Sequence, residues 1–94
     1  MSVLSEEQIE QQLADVPNWR RAGDAAIVHE RTLEDFMDAV GFVDRVAAIA
    51  EEANHHPDIL LHGWNKVRLT LSTHSEGALT DADFALAARI DSLA

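Results

Sequence analysis

Glu51, Glu52, His55 and His56 fall within one short run that stops at Pro57, and a third histidine, His74, follows further along. Imidazole is the side chain best suited to proton transfer near neutral pH. Two or three in one pocket can divide that work, one charged as acid and one neutral as base. Glu51 and His55 are four residues apart, as are Glu52 and His56. Each pair shares a helix face if the helix persists that far. A carboxylate beside an imidazole orients the ring and favours its charged form. The plainer alternative is helix capping, because the macrodipole favours histidine at a C-terminus. For one histidine that alternative is the stronger. For His55, His56 and His74 together, spacing leaves the two evenly matched.

The same groups could ligate a metal, with His55, His56, His74 and a glutamate as the set. No HExxH motif and no cysteine is present, and adjacent histidines rarely aim both rings at one ion. A metal centre is therefore not expected. His29 and His62 stand alone and read as surface or strand residues. Trp64 reads as core or as one wall of a pocket for a flat ligand. Asp83 follows Thr80 at the third helical position, where a carboxylate completes a capping box. A capping carboxylate at a pocket rim can also hold a ligand.

Regular elements must bring these groups together. Ser5-Glu6-Glu7-Gln8 is a capping box, with Leu4 and Ile9 placed as a hydrophobic staple. It predicts a helix to about Leu13, closed by Pro17. Trp19 to Ala22 and Ala25 to Arg31 read as strands joined by a two-residue Gly23-Asp24 turn. A second capping signal begins at Thr32 and opens a helix to about Asn54, roughly 30 Å long at 1.5 Å per residue. Phe36, Val40, Val43, Ala47 and Ala50 form a stripe that is expected to face the core. Phe42, Val46, Ile49 and Ala53 form a second, expected to meet another helix or a partner subunit. Pro57 disfavours helical geometry at His56 and ends the helix. Asp58 to His62 is a strand, interrupted at Gly63. Lys66 to His74 alternates, with Val67, Leu69 and Leu71 on one face and His74 on the polar one. A third capping signal at Thr80 opens the last helix, which buries Leu86, Ile90 and Leu93. The order α-β-β-α-β-β-α implies an α+β fold, a four-stranded antiparallel sheet with three helices packed on one face.

Bulk properties narrow the function. At 94 residues the chain is expected to form one domain over residues 1–94. A net charge of -10 argues against nucleic acid and against an anionic membrane surface. Without cysteine there is no disulfide or thiolate chemistry. Residues 1–7 have neither a basic run nor an apolar one, and no apolar run is long enough to span a bilayer. A cytoplasmic protein is expected.

The spacing Glu51-x3-His55-His56-Pro57, then Trp64, His74 and Asp83, resembles the signature of the pterin-4a-carbinolamine dehydratases. The run from Trp64 to His74 is similar residue for residue, as are the stretches from Asp35 to Asn54 and from Leu79 to Leu93. The resemblance implies the same α+β fold. It implies a hydro-lyase that dehydrates 4a-hydroxytetrahydropterin to quinonoid dihydropterin, with no metal or cofactor, after aromatic amino-acid hydroxylation. It implies that His55 and His74 handle protons and that His56 mainly holds the pterin. Glu51 would orient a histidine, and Asp83 would sit near the third one. Asn54, Pro57 and Trp64 would contact substrate, with Ser72 and Thr73. A homodimer or homotetramer is expected, with Phe42, Val46 and Ile49 as the helix contact. Ile59 stands where the family often has an aromatic residue.

Overall fold

The computed structural model describes residues 3–93. Chain order is α1 (Glu6–Leu13), β1 (Arg20–Ala22), β2 (Ala26–Thr32), α2 (Phe36–Ala53), β3 (Asp58–His62), β4 (Lys66–Leu71) and α3 (Asp81–Asp91). The sheet runs β1-β2-β4-β3, antiparallel at every pairing. This is the α+β architecture that the element order implied.

Alternation along β4 decides which face of the sheet is covered. Val67, Leu69 and Leu71 are fully buried, while Arg68 between them is exposed. Ile27 pairs with Leu71 across the β2–β4 ladder and joins the same buried layer. Ile9 of α1, Phe42 and Val46 of α2, and Leu86 and Ile90 of α3 close over that layer in one hydrophobic core. Each large aliphatic side chain so buried contributes roughly 1.5–3 kcal/mol.

The core face of α2 draws on both expected stripes: Phe42 and Val46 of the second go inside with Ala50 of the first, and Phe36, which leads the first, does not. Ala39, Phe42, Val46 and Ala50 face the core, whereas Phe36 is 50% and Met37 72% exposed. Both stripes are apolar at helical spacing, so periodicity cannot rank them. The direction in which β2 delivers the chain to α2, and the docking of α3, choose the face. Phe42 and Val46 therefore belong to the monomer's own core and are not a subunit contact. Val46→Glu should unfold the protein rather than dissociate it, because an unpaired carboxylate would be buried. A thermal melt checks this: the transition should fall or vanish, and an unchanged melting temperature would place Val46 at the surface.

Three boundaries also differ. The first hairpin has a three-residue loop, since Ala22 pairs with Ala26, and Gly23 supplies the positive φ of 67°. Thr32 ends β2 opposite Lys66, and the N-cap of α2 is Asp35, whose side chain accepts from the Asp38 N–H. β4 stops at Leu71, and His74 lies in the turn that follows. That turn is closed by backbone bonds from Glu76 N to Thr73 O and from Gly77 N to His74 O.

Candidate active site

The end of α2 sets the first two histidines. Asn54 adopts a left-handed conformation at φ 52° and ψ 42°, which Asn tolerates better than most residues. His55 N then bonds back to Ala50 O at 3.1 Å, and Asn54 N to Glu51 O at 3.1 Å. This is a Schellman-type ending, and it swings the chain off the helix axis. Pro57 keeps His56 extended and leads into β3.

The four-residue carboxylate–imidazole pairs of the sequence therefore do not form. His56 Nε2 contacts Glu51 instead, and Glu52 accepts from Arg89 of α3 at 3.0 Å. His55 reaches across to α3, where its Nε2 lies 2.6 Å from Asp83 Oδ1. Asp83 thus partners His55, not the third histidine.

Asp83 is fully buried. The capping box at Thr80 holds it there, with the Thr80 N–H donating to Asp83 Oδ2 at 2.9 Å. The Thr73 hydroxyl donates to the same oxygen at 2.9 Å, and Thr73 Oγ1 lies 2.7 Å from Thr80 Oγ1. A buried carboxylate needs such donors, since an unsatisfied one costs several kcal/mol or more. A carboxylate only accepts, so the hydrogen in the His55–Asp83 bond sits on Nε2. Among the described residues no hydrogen bond engages His55 Nδ1. That nitrogen is left to accept or give a proton.

A cleft of about 250 Å³ opens beside this network, lined by Asn54, His55, His56, Ser72, Thr73, His74 and Ser75. The fold thus brings all three signature histidines to one cavity, from the α2–β3 connection and from the segment after β4. His74 is exposed there, and among the described residues no hydrogen bond or ion pair engages its ring. Glu51 reaches the site only through His56, and Pro57 only adjoins it. Trp64 is not in this cleft. It sits at the tip of the β3–β4 hairpin, 61% exposed and at φ 60°. Strands of this length put the tip ~16 Å from the cleft, at about 3.3 Å per residue. Ile59, on edge strand β3, does not line it either.

Ser75 and Thr80 join the site from outside the signature residues. Ser75 could have been inferred from its place beside His74. In the sequence Thr80 reads as an N-cap only, and nothing in its spacing to Thr73 signals a hydroxyl pair. The two remaining histidines lie elsewhere. His29 is a buried strand residue whose Nδ1–H donates to Asn18 O at 3.0 Å, with its ring beside Trp19. His62 pairs with Glu30 on the open sheet face. Its hydrogen bond is the main cause that holds the Glu30 carboxyl below its usual value. Among the described residues, no group of three His, Asp or Glu side chains is arranged to hold a metal ion. No helix among them is long and apolar enough to cross a membrane.

Residues 2–93 match the family model for pterin 4 alpha carbinolamine dehydratase. The chain belongs to this family. A dehydratase-family relative from Nocardia farcinica, provisionally named pterin-4-alpha-carbinolamine dehydratase, is 51% identical over 92 residues, which are 98% of this chain and 95% of that one. One from Thermomicrobium roseum with the same provisional name is 44% identical over 94 residues, covering 100% and 99%. A solved structure described as a transcriptional coactivator/pterin dehydratase from Brucella melitensis superposes with a TM-score of 0.90 at 32% identity, covering 96% of each chain. A second, a pterin dehydratase-like protein identified as a RuBisCO assembly factor in the alpha-carboxysome, gives a TM-score of 0.66 at 29% identity over 79% of this chain and 86% of that one. Dehydratases are hydro-lyases, and the cleft of this family member carries acid–base groups of the kind that loss of water requires.

Proposed function

We propose that the cleft dehydrates 4a-hydroxytetrahydropterin to quinonoid dihydropterin in pterin recycling. The observation that carries this reading is the His55–Asp83 pair at the cleft wall. It commits one ring nitrogen to a buried carboxylate and leaves the other for substrate. The reaction needs a proton on the departing 4a-hydroxyl and removal of one from N5. His55 and His74 face one cavity from different segments and divide that work as base and acid. His56, steadied by Glu51, holds the pterin with Asn54 and Ser72. Positioned acid–base groups supply about 10²- to 10⁴-fold each. Stopped-flow absorbance on synthetic 4a-hydroxytetrahydropterin tests the reading, and a rate equal to that of buffer alone rejects it.

No step in this scheme uses a metal. Dialysis against a strong chelator should leave the rate unchanged. Loss of activity that returns with Zn²⁺ would replace these role assignments with metal-assisted chemistry.

A second reading is a binding role without turnover, suggested by the relative described as a RuBisCO assembly factor. That role has no need of a buried carboxylate behind a cleft imidazole, so the geometry favours the enzyme. A link to an aromatic amino-acid hydroxylase as the substrate's source, and a cytoplasmic location, belong to the first reading. So does the chain acting as one catalytic domain.

The exposed apolar start of α2 supports self-association as a homodimer or homotetramer. Phe36 and Met37 are the large apolar side chains open to solvent there, and such patches commonly mark interfaces. Light scattering should show a mass above the 10.4 kDa of one chain, and Met37→Glu should lower it. A monomer in the unsubstituted protein excludes this assembly.

A further inference from the structure

Thr73 borders the cleft, and its neighbours Ser72 and His74 both line it. A threonine there reads at first as a substrate ligand. Its hydroxyl, however, is already engaged. Thr73 is 3% exposed, and the two groups that hold its oxygen, Asp83 and Thr80, are fully buried. A hydroxyl has one hydrogen. Thr73 donates it to Asp83 Oδ2 at 2.9 Å, and the same oxygen lies 2.7 Å from Thr80 Oγ1. Two donors therefore meet at Asp83: Thr73 O–H on one oxygen and His55 Nε2–H on the other.

Thr73 is also tied through its backbone. Its N–H donates to Ala78 O at 3.1 Å, and its carbonyl accepts from Glu76 N at 3.0 Å. These bonds frame the turn that carries His74. One residue thus anchors both halves of the cleft: the His74 turn by its main chain, and the His55 ring by its side chain through Asp83. We propose that Thr73 is a positioning residue that holds His55 in the Nε2–H tautomer and registers it against His74, leaving Nδ1 as the proton-exchanging atom. This rests on the dehydratase reading above.

Two measurements test it. The first needs no variant: two-bond ¹H–¹⁵N spectra of the neutral imidazoles should show His55 as the Nε2–H tautomer, and an Nδ1–H tautomer overturns the proposal. The second compares Thr73→Val with Thr73→Ser. Thr73→Val keeps the shape and removes the hydroxyl, so the His55 ring should populate the second tautomer. Its kcat should fall about tenfold while KM stays nearly constant, as when one hydrogen bond's worth of orientation is lost from the transition state. Thr73→Ser should restore both the spectrum and kcat. If Thr73→Val raises KM and spares kcat, Thr73 is a substrate ligand and the proposal is wrong. If only its melting temperature falls, the role is structural and the proposal is equally wrong. Should the unsubstituted protein fail to dehydrate the carbinolamine, the functional reading fails, and the ring spectra still decide the positioning.

Discussion

The doubly substituted His55→Ala/His74→Ala protein is expected to dehydrate the carbinolamine at close to the uncatalysed rate. Each single alanine variant should keep partial activity, because water or the remaining ring can substitute poorly. If each ring supplies at least about 10²-fold, the double variant loses roughly 10⁴-fold or more. His56→Ala should mainly raise KM, the mark of binding lost equally in the ground and transition states. Folding must be checked differently at the two positions. His74 is exposed in its turn, and its removal should leave the melt unchanged. His55 is 12% exposed at its side chain and bonded to a buried carboxylate, so His55→Ala leaves Asp83 short of a donor at about 1–3 kcal/mol. His55→Gln, which retains an N–H, separates that cost from the chemical one. A folded double variant with the unsubstituted rate would remove the cleft from the mechanism.

Asp83→Asn carries the second large effect. The carboxylate accepts from His55, Thr73 and the Thr80 N–H. An amide offers one oxygen and one NH₂. If the oxygen stays with Thr73 and Thr80, the NH₂ faces His55 Nε2 and forces the opposite tautomer. The Nδ1 lone pair is then lost to the cleft, and kcat should fall about 10²-fold or more with little change in KM. Asp83→Ala orphans all three donors and should cost more stability than Asp83→Asn, by about 1–3 kcal/mol for each group left unpaired. Rates and thermal melts on both variants check the pair. An Asp83→Asn protein with undiminished kcat would show that the carboxylate serves only to cap α3.

The residue pattern alone determined a good deal. Capping boxes at Ser5 and Thr80 marked the starts of α1 and α3, because each satisfies helix N–H groups through side chains three residues apart. Clean alternation over Val67, Leu69 and Leu71 marked the buried face of β4. The histidine spacing pointed to the family and to proton chemistry. All of these are local signals, carried by a few residues and their own backbone.

What failed was non-local. Two apolar stripes on α2 have the same period, and only the docking of the sheet and α3 decided that Phe42 and Val46 go inside. Sequence distance paired Glu51 with His55 and Glu52 with His56. The left-handed turn at Asn54 broke that helical register and sent His55 to Asp83, 28 residues away. The family resemblance implied that Trp64 contacts substrate, but the hairpin carries it to the end of the sheet away from this cleft. The Thr73–Thr80 hydroxyl pair had no signature, since a hydrogen bond between side chains depends on where two backbones lie and not on how many residues separate them. The sequence determined which groups were available for chemistry. The tertiary structure decided which carboxylate holds which ring, because only packing brings the end of α2, the start of α3 and the segment after β4 to one point.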